Sequence, residues 1–167
     1  MKNDLTLINE FDKLATFYFS QQPQIGKILK REKTKIILEI PKISEKGFDI
    51  GVTVETYGIY PWAGTWHGAP WEPMKNWTTE TICKDFFGFI RMLLCEDSQL
   101  RCNYRHGHLR KTAIFLRDQA GWKLFEETGY FVLPFGSKTE EIYQNNHLVA
   151  RFPYDNLAST GWGVYYW

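Results

Sequence analysis

The chain is poor in the features by which a catalyst is recognised. No Gly-rich loop joins a strand to a helix, so neither a Walker loop nor a dinucleotide fingerprint can be placed. No G-x-S-x-G element, Cys-His signature or kinase-type motif supports nucleophilic or phosphoryl-transfer chemistry. Charge of one sign is scarce: 20 Lys and Arg against 19 Asp and Glu leave a net of +1. That balance argues against general nucleic-acid binding, which needs a much more basic chain. Cysteine is sparse too. Cys83, Cys95 and Cys102 are odd in number and contain no C-x-x-C, which excludes a disulfide framework and points to the reduced thiols of a cytosolic protein. Eighteen apolar residues never occur together, and Met1 to Glu10 lacks a basic region followed by an apolar run of signal-peptide length. A soluble, cytoplasmic protein with no membrane contact is the expectation.

What the chain does have is apolar and aromatic mass, 44% hydrophobic and 17% aromatic, which together describe a packed globule. No repeat, low-complexity tract or linker divides it, so residues 1–167 read as a single globular domain. Leu5, Ile8, Phe11, Ala15, Tyr18 and Phe19 recur at helical steps behind a cap at Asn3 or Asp4 and predict a first helix ending near Gln21-Gln22-Pro23. Lys35 to Ile40 and Phe48 to Glu55 alternate as strands with one apolar face. Thr79 to about Cys95 predicts a second helix, capped by Thr78 or Thr79, with Ile82, Phe86, Phe89, Ile90, Leu93 and Leu94 inward. Beyond it, Leu100, Cys102 and Tyr104 alternate, His106-Gly107-His108 makes a tight turn, and Thr112, Ile114 and Leu116 alternate again. A hairpin loop of Asp118 to Gly121 leads to Trp122, Leu124 and Phe125. Further strands are expected at Tyr130 to Pro134, Leu148 to Phe152 and Gly163 to Trp167, with a short helical turn around Thr139 to Gln144. Strands that follow strands predict an α+β fold: a mostly antiparallel sheet with two principal helices packed on one face.

Four features bear on function. Between Tyr57 and Trp77 stand Trp62, Trp66, Trp71 and Trp77, in a stretch broken by Gly58, Pro61, Gly64, Gly68, Pro70 and Pro73. The spacing fits neither helix nor strand and predicts an irregular loop. Its rings either anchor a partner or fold back over the core. The second feature is the span from Arg101 to Arg117, which is free of acidic residues and holds Arg101, Arg105, Arg110, Lys111, Arg117 and two histidines. As a strand it places Arg101, Asn103 and Arg105 on one face, a strip able to receive phosphate or an acidic surface, or else a solvated face paired with Glu126 and Glu127. Third, His106 and His108 form an H-x-H pair, with His67 in the Trp stretch. A metal site needs further ligands that nothing signals, so no metal and no cofactor is expected. Acid-base catalysis of phosphodiester cleavage by either histidine is the chemical alternative, and a plain surface turn the ordinary one. Fourth, Glu126-Glu127 and Glu140-Glu141 are adjacent pairs, and adjacent strand residues point to opposite faces rather than across a glycosidase cleft.

The segment Gly64 to His67 with Ala69-Pro70-Trp71-Glu72, then Phe89-Ile90-Arg91, Arg110 to Leu116, Trp122, Glu127-Thr128-Gly129 and Tyr143 to Leu148 resembles small bacterial proteins that include the immunity proteins of polymorphic toxin systems. The likeness is of style over about residues 60 to 150 and carries no catalytic motif. It implies a cytosolic domain that occupies a toxin's active site or an adjacent surface. The expectation is therefore a protein-binding module rather than an enzyme, blocking another, toxin-like protein sterically. Trp62, Trp66 and Trp71 would be its anchors, Arg105, Arg110 and His106 its rim charges, and Trp77, His67 and His108 further contacts. The alternatives are a small-ligand or glycan-binding domain, or a hydrolase acting on such a ligand, with Trp rings as platforms and Asp49, Glu55 or His67 as polar readers. An RNA-binding domain using the basic strip is a third.

Overall fold

The computed structural model describes residues 5–73, 78–131 and 135–147. Its elements run α1 (Thr6–Ser20), β1 (Ile28–Arg31), β2 (Lys35–Ile40), β3 (Ile50–Glu55), β4 (Gly58–Ala63), β5 (Trp66–His67), α2 (Thr79–Leu94), β6 (Ser98–Arg105), β7 (His108–Asp118), β8 (Gly121–Gly129) and β9 (Lys138–Tyr143). The fold is α+β, as expected, but its strands make two antiparallel sheets. Sheet A has the order β1-β2-β3-β4-β5 and sheet B the order β8-β7-β6-β9.

Both helices form on apolar stripes. Leu7, Ile8, Phe11, Leu14, Ala15, Tyr18 and Phe19 are the buried face of α1. That helix starts at Leu5 with no side-chain cap, and the caps expected at Asn3 or Asp4 lie outside the described residues. In α2 the Thr78 hydroxyl accepts from the Thr81 amide at 3.1 Å, Glu80 stands in the first turn and Arg91 in the last. These place acid and base where the helix dipole favours them. The helices meet through Phe11, whose ring lies 5.0 Å from Phe87 and 6.1 Å from Phe86. Each such ring contributes about 1.5–3 kcal/mol by leaving water. α1 packs on β2 and β3, α2 on α1 and β6, so the helices cover the inner faces of both sheets and one apolar cluster joins all four parts.

The alternation expected of β2 and β3 is present: Ile36, Leu38 and Ile40 face inward opposite Val54, Val52 and Ile50. In sheet B, Leu100, Cys102, Ile114 and Leu116 point inward. The β6–β7 turn has left-handed backbone at His106 (φ 50°) and Gly107 (φ 75°), the two-residue geometry that matches strand twist. After β9 the chain returns to the core, where Asn145 acts as a latch. Its Oδ1 accepts from the Phe48 amide at 3.1 Å, and its Nδ2 donates to the carbonyls of Phe48 and Leu93, each at 3.0 Å.

One expectation fails here. Residues 139–144 make no helical turn. Lys138–Tyr143 is a strand paired with β6, because six residues of isolated helix are marginal while the open edge of β6 offers a full ladder. Of the strand expected at Tyr130 to Pro134, Tyr130 and Phe131 are outside any strand, β8 ending at Gly129, and 132–134 lie outside the described residues, as do the strands expected at 148–152 and 163–167. No helix among the described residues is long and apolar enough to cross a membrane.

Candidate functional site

The Trp-rich stretch is not an irregular loop throughout, since Gly58–Ala63 and Trp66–His67 within it are β4 and β5. Pro61 concealed this. Its carbonyl accepts from the Gly68 amide at 3.1 Å, so its missing N–H lies on the β5 side, beyond the two-residue ladder Trp62–His67 and Ala63–Trp66. That is a position where a strand tolerates proline. The stretch is a seam between the sheets. The Thr65 carbonyl accepts from Tyr130 Oη at 2.8 Å and from Thr112 Oγ1 at 3.4 Å. The His67 carbonyl accepts from Thr128 Oγ1 at 2.8 Å, and the Ala69 amide donates to Glu126 Oε1 at 2.7 Å.

The four indoles consequently have different fates. Trp66, expected as an anchor, is fully enclosed against Phe89 with ring centroids 6.1 Å apart. The inward alternation of β5 puts it there, and Gly68 leaves room for it: a Cβ on Gly68 would stand 2.4 Å from the ring. Trp71 is half-buried, 5.7 Å from Phe89 and 5.3 Å from Phe86, and its backbone bonds Ile59 in both directions. Trp77 lies outside the described residues. Trp62 alone of the described three faces outward, on the open side of sheet A.

Trp62 lies across Gly51, its register partner on β3. A Cβ at Gly51 would stand 1.9 Å from Cε2 of the indole, so the glycine is what lets the ring lie down. The row through it reads His67, Trp62, Gly51, Glu39, Ile28 across five strands, and the next reads Tyr60, Thr53, Ile37, Lys30. Ile28 is 49% and Tyr60 37% exposed. Lys30 pairs with Glu39 at 3.6 Å beside them. No helix among the described residues covers this face.

The basic span divides as well. Arg105, expected at a rim, is 7% exposed. His106, His108 and Arg110 are exposed, and the His106 ring lies on Gly136, where a Cβ would come within 1.8 Å of Nε2. Lys111 pairs with Glu127. Glu126 instead turns inward to the seam because of a bulge between Ile114 and Phe115, and burial raises its carboxyl above the ordinary range against the opposing Ala69 hydrogen bond. Asp49 accepts from the Lys42 amide at 2.8 Å, and Glu55 lies opposite Lys35 at the rim of sheet A.

The thiols are unsuited to nucleophilic work at neutral pH. Burial pushes Cys83 up to about 12 and Cys95 up to about 11, and raises Cys102. Among the described residues no group of three or more His, Cys, Asp or Glu is placed to hold a metal ion. Sequence reasoning missed Gly51, Tyr60 and Ile37 as the setting of Trp62, although a glycine inside a strand is a signal of close approach. No family model, curated protein or solved structure matches the chain.

Proposed function

We propose that the chain is a non-enzymatic protein-binding module that acts by occlusion, an inhibitor of the immunity type, and that its contact surface is the outer face of sheet A. What supports the reading is the setting of Trp62: a large ring held down on Gly51 in an open sheet face, with Tyr60 two residues along its strand and Ile37, Ile28 and the Lys30–Glu39 pair further across the same face. Interfaces are built this way, an aromatic centre inside a polar rim, and a fixed ring loses little conformational freedom when a partner covers it. The partner under this reading is a toxin-like protein. Its active site is blocked by the sheet face, so no catalytic group is required of this chain.

The test is a pull-down from the native host with wild-type protein and Trp62→Ala side by side. Wild type should retain one partner in stoichiometric amount, and the variant should lose it by about 2 kcal/mol, roughly thirtyfold. Absence of any stoichiometric partner at micromolar protein would overturn the proposal. The same flat ring also suits stacking on a sugar, with Glu39 and His67 as polar neighbours. Thermal-shift screening against glycans separates the two, because a ligand at a hundred times its Kd stabilises a fold by about 2.7 kcal/mol.

A further inference from the structure

At the β6–β7 turn the outer face of sheet B ends in a row of three cationic or cation-forming side chains. Arg105 on β6 stands opposite His108 on β7 and Lys138 on β9. Partners in register share a face, with Cβ atoms about 4.5–5.5 Å apart, and like charges so placed oppose folding. The middle member is enclosed: Arg105 is 7% exposed and its Nε meets no hydrogen-bond acceptor. Other arginines of the molecule are engaged, Arg31 with Asp12, Arg101 with Gln99 and Arg117 with Asp97. The closest carboxylate on this face by register is Glu140, one row inward opposite Asn103. No ion pair joins it to Arg105, His108 or Lys138 among the described residues. A mostly buried arginine whose Nε is out of water without an acceptor, and with no ion-pair partner among the described residues, is a conflict that a fold keeps only for a reason.

We infer that this row is an anion site and that its ligand is a phosphate group, free or as the terminal monoester of a small molecule. The guanidinium fork presents parallel N–H donors to two phosphate oxygens, and the Lys138 ammonium and a His108 N–H on either side reach the rest. A carboxylate has two oxygens and is satisfied by the guanidinium alone. A phosphate monoester, with three terminal oxygens and nearly two charges, uses the whole row. A ligand reaches the row from its two ends, since His108 and Lys138 are both exposed. His106 is excluded from the set by its packing on Gly136. The site lies on the opposite sheet from Trp62 and does not depend on the protein-binding reading.

The experiment titrates the full chain with inorganic phosphate and, separately, a hexose phosphate, against sodium chloride at matched ionic strength. Side-chain NMR resonances of Arg105 and His108 are followed. A saturable shift at millimolar phosphate or ester that chloride does not reproduce is the expected result. The better of the two ligands tells whether the natural source is free or esterified. Arg105→Met, which keeps the apolar stem, should weaken binding by about tenfold or more. Should that variant fail to fold, His108→Asn with Lys138→Gln, both at exposed positions, must produce a comparable loss. Shifts no larger with either phosphate than with chloride, or a saturable response unchanged in these variants, would overturn the assignment.

Discussion

On the outer face of sheet A the charges find each other and the rings stay bare: Lys30 pairs with Glu39, and no cation stands over Trp62 among the described residues. On the outer face of sheet B the rings are covered and charges are left over. The Arg101 guanidinium lies 4.0 Å above Phe115 and that of Arg117 5.6 Å from Trp122, while Arg105, His108 and Lys138 face one another with no ion-pair partner among the described residues. Each capped ring gains about 0.5–1 kcal/mol from its cation and offers less of its face to a partner. The difference teaches that counting aromatic residues does not find a contact surface. What matters is whether the protein already covers the ring.

The contrast breaks most visibly at the two tryptophans four residues apart. Trp66→Ala should cost about 3–5 kcal/mol in urea unfolding, as for any large ring removed from a core, and Trp62→Ala under about 1 kcal/mol, the scale of a cross-strand pair. Equal costs would make Trp62 a structural plug and remove the distinction between face and interior. Gly51→Val sharpens the same point, because its side chain needs the space of the indole. A loss of about 1–3 kcal/mol, with a displaced Trp62 indole resonance, is expected.

Smaller effects come from the seam and the rim. The Glu126 carboxyl is raised in the fold, so the unfolded chain gives up its proton first and stability falls as pH climbs from the ordinary 4.5 through the raised folded value. Glu126→Gln, neutral throughout and still able to accept from Ala69, should flatten that slope. It should gain under about 1 kcal/mol at neutral pH, after solvent screening is allowed for, as read from urea midpoints at the two ends of the range. Smallest of all, Lys30→Ala on the exposed pair should shift stability by under about 0.5 kcal/mol and lose even that in high salt.

Much of the frame was legible because its signals are periodic. Both helices, the strands β2 and β3, and the turn at His106-Gly107 follow from spacing and turn chemistry with no tertiary information. β4 was hidden by Pro61 and Gly58, residues that discourage a strand until a neighbour shows that the missing N–H is not needed. β5 is two residues long, too short for any period. β9 reads as polar because five of its six residues are exposed, and an edge strand is recognised by its partner rather than by its own pattern. The candidate sites were half visible. The indoles and the basic run stand out as residues, but which ring turns outward depends on strand parity. That Arg105 stands between His108 and Lys138 depends on a register spanning three strands.

The Asn145 amide ties the chain after β9 to Phe48, which leads into β3 97 residues earlier, and to Leu93 at the end of α2. Sheet A cannot swing away without breaking the two bonds to Phe48, and the chain after β9 cannot leave without losing all three, so opening at this point is penalised from either side. The Phe48 amide proton should therefore exchange with deuterium only when the whole molecule comes apart, making it a built-in gauge of global stability.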